Sequence, residues 1–142
     1  MPFLKQPQKA AVMYLLHAAN LPTDDITDGL LHNFWGYVTE GKIVGIVGLE
    51  PFSGTGLLRS LTVDPAHRGC GLGKRLVRHA EQMASEMNMR ELYLLTDSAQ
   101  EFFENLGYTR VERVHAPAEI RRSREFAELC PSSSLLMKKA LH

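Results

Sequence analysis

The sequence has few cysteines, no long hydrophobic run and no excess of either charge, and each absence excludes a class of protein. Its 142 residues include two cysteines, Cys70 and Cys130, and no C-x-x-C pair, which argues against a disulfide framework and a zinc or other metal site. Such sparse cysteine usage favours the cytoplasm. Sixteen basic residues balance sixteen acidic ones, so charge gives no reason to expect nucleic acid or a membrane as partner.

The N-terminal stretch "KQPQKAAVMYLLHAAN" places lysines before a short apolar run, as signal peptides do. His17 and Asn20 interrupt that run. Val12, Leu15, Leu16 and Ala19 instead follow the spacing of an amphipathic helix, which we expect here. No stretch reaches the roughly 20 apolar residues of a membrane span.

The chain has no repeat, low-complexity tract or long linker, and we expect residues 1–142 to form one α/β domain. Its patterns predict a mixed, mostly antiparallel sheet flanked by helices. The predicted strands are 33–40, 42–50 and 56–63 in an antiparallel meander, then 91–95, 108–114 and 132–139. Four further helices are predicted after the N-terminal one. The first is at 23–31, capped by Thr23 or Asp24, and the second starts from Leu72. The third follows Asp97 or Ser98, and the fourth covers 117–129.

Two of these helices show an apolar face. From Leu72 the stripe continues through Leu76, Ala80, Met83 and Met87, while the charged residues, Glu81 among them, lie off it. In the later helix the predicted inner face is Ala99, Phe102, Phe103 and Leu106, and Gly107 ends the helix in a left-handed conformation.

The turn "DPAHRGCGLGKR" lies between the strand ending at Val63 and the helix starting near Leu72. Backbone N–H groups at a helix N-terminus attract anions, and glycine lets a ligand approach them closely. The turn therefore predicts a phosphate site. It is not a dinucleotide fingerprint, because the third glycine, Gly73, comes one place early. It is not a P-loop either, because Arg68 and Arg75 occupy positions that need glycine and Ser or Thr.

The motif Arg68-Gly69-Cys70-Gly71-Leu72-Gly73, preceded by "LTVDPAH" and followed some thirty residues later by "AQEFFENLGY", resembles the GNAT superfamily of acetyl-CoA-dependent N-acetyltransferases. The resemblance runs from about Gly41 to the C-terminus. It implies the GNAT fold, in which the two central parallel strands splay apart, and acetyl-CoA as cosubstrate.

The resemblance also implies a set of cofactor-binding residues. Backbone N–H groups of the turn would hold the pyrophosphate of coenzyme A, and the end of the preceding strand would pair with the pantetheine arm, because a splayed strand has unpaired donors and acceptors. One of two adjacent phenylalanines would pack against that arm. These residues are Arg68, Gly69, Cys70, Gly71, Leu72, Gly73 and Lys74 for the pyrophosphate, Leu61, Thr62 and Val63 for the arm, and Phe102 and Phe103.

Acetyl transfer to an amine needs a base, because alkyl amines are mostly protonated at neutral pH. Glu50 is the candidate, with an exposed, structural carboxylate as the alternative. Many superfamily members protonate the thiolate with a tyrosine, and Phe103 stands at that position here. Tyr108 is not assigned the role. Water can serve instead, because a thiol pKa near ~8.5 makes thiolate a tolerable leaving group.

Three residues are candidates for substrate binding. Strand alternation places Arg59 on the face of Leu61 and Val63, where it either pairs with Glu50 or binds a substrate carboxylate. Arg121 belongs to a basic cluster that is either a solvated helix face or part of the site. Phe34 lines a pocket or packs in the core.

A closer resemblance, in "GLEPF", "RELYLLTDSAQEFFENLGY" and "PAEIRRSREFAELCPSSSLLMKK", is to small GNAT enzymes of arsenic-resistance operons and, more distantly, to the acetyltransferase domain of N-acetylglutamate synthases. It implies a small-molecule amine substrate, glutamate-like or an arsenic- or phosphorus-containing analogue. Two alternatives stay open: a different amine, which an open acidic groove would favour over a small basic pocket, and a non-catalytic module that binds coenzyme A. The sequence leaves homodimerisation open.

Overall fold

The computed structural model describes residues 2–129 and 133–141, which form a mixed seven-stranded sheet flanked by helices. Neighbouring strands are antiparallel except β4 and β5, which are parallel. The predicted mixed, mostly antiparallel architecture is thereby confirmed. The strands are β1 (Phe3–Lys5), β2 (Phe34–Thr39), β3 (Lys42–Pro51), β4 (Thr55–Val63), β5 (Glu91–Thr96), β6 (Thr109–Val111) and β7 (Leu135–Ala140), in the order β1-β2-β3-β4-β5-β7-β6.

The helices lie in the connections between strands, except between β2, β3 and β4. They are α1 (Lys9–Ala18), α2 (Asp28–Leu31), α3 (Leu72–Glu86), α4 (Gln100–Asn105) and α5 (Ala118–Arg121), with a π-helical turn over Glu125–Leu129 and 3₁₀ turns at Pro65–His67 and Arg113–His115. Within the described ranges, each helix is too short or too polar to cross a membrane.

Several boundaries differ from the predicted ones. Helix α2 is only one turn long, because Thr27 rather than Thr23 or Asp24 caps it, accepting a hydrogen bond from the Leu30 amide. The cap of α4 is likewise shifted, since Thr96 accepts the Ala99 amide and neither Asp97 nor Ser98 acts as cap. The predicted helix 117–129 is divided into α5 and the π-helical turn. Strand β1 was not predicted, and Cys130 and Ser132 lie outside the described residues.

Helix α3 packs on one face of the sheet through a slightly different stripe from the predicted one. Leu72, Leu76 and Ala80 are buried as predicted, but Met87 is 40% exposed. Glu81, predicted only to lie off the apolar stripe, is buried, and its carboxylate accepts hydrogen bonds from Tyr108 and Lys139. A buried carboxylate is tolerable when it is paired in this way.

Strands β4 and β5 diverge after a short paired segment. The only pairs in their parallel register are Thr55–Leu57 with Glu91–Tyr93. On its other edge, β4 stays paired with β3 as far as Val63. Among the described residues, the second half of β4 therefore has no strand partner on the edge that faces β5, as the GNAT resemblance implied.

A β-bulge interrupts β4 where this divergence begins. Gly48 of β3 pairs with Arg59, but Ile46 pairs with Thr62, so two β4 residues stand opposite one β3 residue. Ser60 within the bulge has φ +61°, a conformation that is rare for residues other than glycine. Because an extra residue reverses the alternation of side chains, Arg59 meets Asp25 and Glu125 on one face, whereas Leu61 and Val63 pack against the α3 core on the other.

Candidate active site

The turn between β4 and α3 has the geometry that an anion site needs. Gly69 and Gly71 have φ of +83° and +81°, and a Cβ on either would meet no atom within 4 Å. Gly71 is the N-cap of α3 and makes no side-chain cap hydrogen bond. The first four amide groups of an α-helix have no intrahelical partner. The turn thus offers its amides to open space, and its residues fit the pyrophosphate of coenzyme A.

The side chains of this turn point away from those amides or brace the loop. Leu72 is buried in the α3 core, whereas Lys74 is exposed. Arg68 donates from Nε to the Val63 carbonyl at 3.2 Å, and the Cys70 thiol lies 2.8 Å from the His67 carbonyl oxygen. Phe102 approaches to 3.4 Å of where a Gly73 Cβ would stand. The N-terminal end of α3 is therefore close to α4.

A cavity of about 810 Å³ lies between the diverging strands. The bulge residues Ser60 and Leu61 line it from β4, and Leu94 to Thr96 line it from β5. The loop after α1 and the π-helical turn close two further sides. The cavity thus lies along the edge of β4 that has no strand partner among the described residues. Residues 58–61 of β4 line it, whereas Val63, which leads into the glycine turn, does not.

The charged groups that line this cavity are mostly acidic. Of the described residues, Asp24, Asp97, Glu125 and Glu128 bring carboxylates, and Arg59 brings the one cation. Glu125 is 7% exposed and lies 3.6 Å from Arg59 Nε. Asp97 accepts a hydrogen bond from Ser134, and Glu128 pairs with Arg124 at 3.0 Å. The lining of the cavity is therefore acidic rather than basic, which favours a different amine, the alternative acceptor, over a glutamate-like one.

Arg59 is held by carboxylates from three parts of the chain. Its two terminal nitrogens both donate to Asp25, one of them also donates to Glu50 Oε1 at 2.8 Å, and Nε faces Glu125 and donates to Ser60 Oγ at 3.1 Å. Its side chain has no exposed surface. Burial by itself would lower the pKa of Arg59, but the hydrogen bonds and negative charges of these carboxylates outweigh burial and raise the pKa above its ordinary value.

This geometry tests the predicted partner and the predicted face of Arg59. The predicted Arg59–Glu50 pair is confirmed. The prediction that Arg59 shares a face with Leu61 and Val63 is wrong, because the bulge at Ser60 shifts the register. Glu50 is half-buried and does not line the cavity. Its role as base and that of Arg59 towards a substrate carboxylate stay predictions.

Two predicted substrate-binding residues are not brought to the cavity. Phe34 is fully buried in the α1 core and fills the space over Gly48, where a Cβ would lie 2.4 Å from its ring. Arg121 is exposed at the end of α5 and does not line the cavity. Phe34 therefore packs in the core, and Arg121 lies on a solvated helix face. These are the structural alternatives given for the two residues.

The aromatic residues of "AQEFFENLGY" take separate positions. Phe103 is 7% exposed and lines the cavity, and its ring packs edge-on against Tyr108 and Phe102. Tyr108 is 1% exposed and donates its hydroxyl to Glu81 at 2.9 Å. Burial, together with the charge of Glu81, raises the pKa of Tyr108 far above its ordinary value. Tyr108 is thus engaged inside the core, one residue before β6 rather than in the strand predicted to include it.

Sequence reasoning missed Asp25 and Glu125 as members of the Arg59 cluster. Both stand far from Arg59 in the chain, in segments without a periodic pattern. The buried arginine was itself a signal, since a charge in a buried strand needs partners of opposite charge. That signal indicates that carboxylates lie near Arg59, but it does not indicate which segments of the chain supply them.

Comparisons with known proteins agree with this architecture. The family model described as "Acetyltransferase (GNAT) domain" matches residues 31–110, which include the glycine turn and both diverging strands. The chain belongs to the GNAT acetyltransferase family. An amino-acid acetyltransferase of Mycobacterium tuberculosis is 34% identical over 93 residues, 65% of this chain and 50% of that protein. The uncharacterised N-acetyltransferase YjgM of Escherichia coli is 32% identical over 107 residues, 66% of this chain and 64% of that protein.

This GNAT chain thus spans between half and two thirds of the length of the two relatives. Solved structures share its fold at lower identity. N-acetylglutamate synthase from Neisseria gonorrhoeae, complexed with coenzyme A and N-acetyl-glutamate, superposes with a TM-score of 0.85 at 18% identity, covering 99% of this chain and 35% of that one. A Mycobacterium tuberculosis protein in complex with CoA gives 0.82 at 24% identity, covering 99% of both chains.

Proposed function

We propose that this GNAT domain transfers an acetyl group from acetyl-CoA to the amine of a small, amino-acid-like molecule. The observation that carries the proposal is the divergence of β4 from β5, which leaves an unpaired strand edge between the glycine turn and a charged cavity. A peptide-like cofactor arm needs such an edge, and an amine needs the cavity. The amino-acid acetyltransferase of Mycobacterium tuberculosis supports the acceptor class.

The amides from Gly69 to Lys74 would hold the pyrophosphate, because glycines at Gly69 and Gly71 leave the space before them open. Leu61 to Val63 would pair with the pantetheine arm, and Phe102 would cover it beside Gly73. When bound, acetyl-CoA supplies an activated thioester. The protein's own contribution is to fix the thioester near the bulge at Ser60 and to deprotonate the incoming amine.

Two carboxylates can take the amine proton in this proposal. Glu125 lines the cavity and is buried, whereas Glu50 lies behind Arg59. Because a base must come within hydrogen-bond reach of the proton that it removes, we assign Glu125 this role and give Glu50 the role of holding Arg59. Phe103 and Tyr108 offer no proton to the cavity, so water would protonate the departing thiolate.

The narrower prediction of a glutamate-like acceptor, and of a role in arsenic or antibiotic resistance, rests on the resemblance in sequence. Arg59 is the one cationic side chain among the described residues that line the cavity, and it is already paired with carboxylates. The proposed activity therefore extends to amino-acid-like amines as a class, and the resistance role stays a prediction.

The test is release of coenzyme A thiol from acetyl-CoA in the presence of single amines: glutamate, glutamine, lysine, ornithine, a diamine, an aminoglycoside and a lysine peptide. The proposal expects release above the hydrolysis background with at least one small amine, and expects calorimetry to show acetyl-CoA binding. A chain that does not bind acetyl-CoA is not this enzyme. Binding of acetyl-CoA without transfer to any amine would favour the non-catalytic module.

A further inference from the structure

The cavity of the proposed active site carries an excess of negative charge that the Arg59 cluster does not cancel. Four carboxylate residues line it against one guanidinium, within the described ranges. That guanidinium already donates to Asp25 and Glu50, neither of which lines the cavity. Charges that line a low-dielectric cleft focus the potential within it. An acceptor entering this cavity therefore meets a negative field.

The carboxylates lie at different depths. Glu125 is buried next to Arg59, with 9% of its side chain exposed. Asp24, Asp97 and Glu128 are exposed and stand on three separate segments: the loop after α1, the loop after β5 and the π-helical turn. One carboxylate is thus placed inside the cavity and the others around its opening. A ligand that spans the cavity would contact both groups.

We propose that the acceptor carries a second positive charge besides the amine that is acetylated, as diamines and basic amino acids do. This inference rests on the proposed function and names its substrate class. The amine to be acetylated faces Glu125, and the distal cation lies at the opening, where Asp24 and Asp97 are exposed. A second carboxylate on the acceptor, as in glutamate, would face the same residues and be repelled.

The neighbouring cations do not reverse this field. Arg124 offsets the charge of Glu128, with which its Nε pairs, and its Nη1 lies 3.5 Å from the Asp24 carbonyl oxygen. The carboxylates of Asp24, Asp97 and Glu125 keep the balance negative. Lys138 and Lys139 on β7 pair with Glu91 and Glu81, which do not line the cavity. Cys130, Pro131 and Ser132, outside the described ranges, carry no formal charge. The acidic balance thus holds over the adjoining segments.

The test compares matched acceptors that differ by one charge. We expect kcat/KM for butane-1,4-diamine to exceed that for butan-1-amine by about tenfold or more, and lysine to exceed both norleucine and glutamate. The advantage of the diamine should shrink as salt rises, since exposed charges are screened. Equal rates for the diamine and the monoamine, or preference for glutamate, would overturn the inference while leaving acetyl transfer established. No transfer to any amine would instead refute the proposed function.

A double variant locates the effect. Asp24→Asn with Asp97→Asn should lower kcat/KM for the diamine about five- to tenfold and leave butan-1-amine nearly unchanged, because only the diamine carries a distal cation. Glu86→Gln removes one exposed carboxylate at the far end of α3 and serves as the control, with both acceptors unaffected. An equal loss for both acceptors in the double variant would contradict the proposed placement.

Discussion

Arg59 and Asp25 form a two-pronged ion pair that joins the bulge of β4 to the loop between α1 and α2. Thirty-four residues separate them in the chain. The same guanidinium donates to Ser60 inside the bulge. One buried cation therefore fixes both the loop that borders the cavity and the backbone that opens it.

Removing Arg59 should cost more stability than removing one of its partners. Arg59→Ala leaves the carboxylates of Asp25, Glu50 and Glu125 without their cation, and we expect a loss of about 3–5 kcal/mol in the free energy of unfolding. Asp25→Asn leaves two carboxylates on the guanidinium and should cost about 1.5–3 kcal/mol. Urea unfolding measures both. Equal and small losses would show that the cluster does not hold the loop.

Gly71 should be indispensable for the cofactor rather than for the fold. Gly71→Glu places a negative charge and a side chain in the open space before the α3 amides, and acetyl-CoA binding should be abolished. Gly41→Ala is the matched control, because Gly41 also has positive φ, at +74°, and open surroundings, but lies in the β2–β3 turn. Calorimetric titration should show unchanged affinity for the control. Wild-type affinity in Gly71→Glu would refute the cofactor site.

The pH–rate profile should identify the base. If Glu125 removes the amine proton, Glu125→Gln lowers kcat strongly and abolishes the acidic limb of the kcat/KM profile. Glu50→Gln should retain that limb and lower stability, because Glu50 holds Arg59. The opposite pattern, with the acidic limb lost only in Glu50→Gln, would return the role to Glu50.

Tyr108→Phe should lower the free energy of unfolding without changing kcat. The variant removes the hydroxyl that donates to buried Glu81, and we expect a loss of about 1–3 kcal/mol in the free energy of unfolding. Because that hydroxyl is bound to α3, kcat should be unchanged at temperatures where the variant is folded. A large fall in kcat with intact stability would make Tyr108 the missing acid.

His79 should make the protein less stable in mild acid. Its ring stacks on Phe3 at 4.0 Å, and desolvation lowers the pKa of His79 below its ordinary 6.5 despite the opposing charge of Glu86. The unfolded chain therefore binds a proton at a higher pH than the folded one, so stability is full above pH 6.5 and falls as the pH drops below it. His79→Phe should reduce this fall between pH 7.5 and 5.5, as measured by urea unfolding at each pH.

The sequence predicted the strands with clear alternation and the glycine turn because these features depend on local patterns. Strands β2, β3 and β4 lie within two residues of the predicted bounds. Strand β1, of three residues, is too short to show a period. No pattern in the sequence indicated the bulge at Ser60. Because of this bulge, the prediction about the face of Arg59 is wrong.

The substrate side was harder to predict because it is assembled from distant segments. Glu125 and Asp25 reach Arg59 from a π-helical turn and an irregular loop, for which no period exists. Phe34 shows the converse difficulty. An aromatic residue at the start of a strand can line a pocket or pack in a core equally well. Phe34 packs in the core because its ring fills the space that Gly48, without a side chain, leaves open.

The short register between β4 and β5 has a mechanical consequence. Strands β1 to β4 and strands β5 to β7 form two half-sheets that follow one another in the chain, and neither contributes a strand to the other. The seam of Thr55–Leu57 against Glu91–Tyr93 is the one place where strands of the two halves pair, among the described residues. The core beneath α3 draws side chains from both halves. Packing against α3, rather than hydrogen bonds between strands, therefore holds the two halves together where β4 and β5 have diverged.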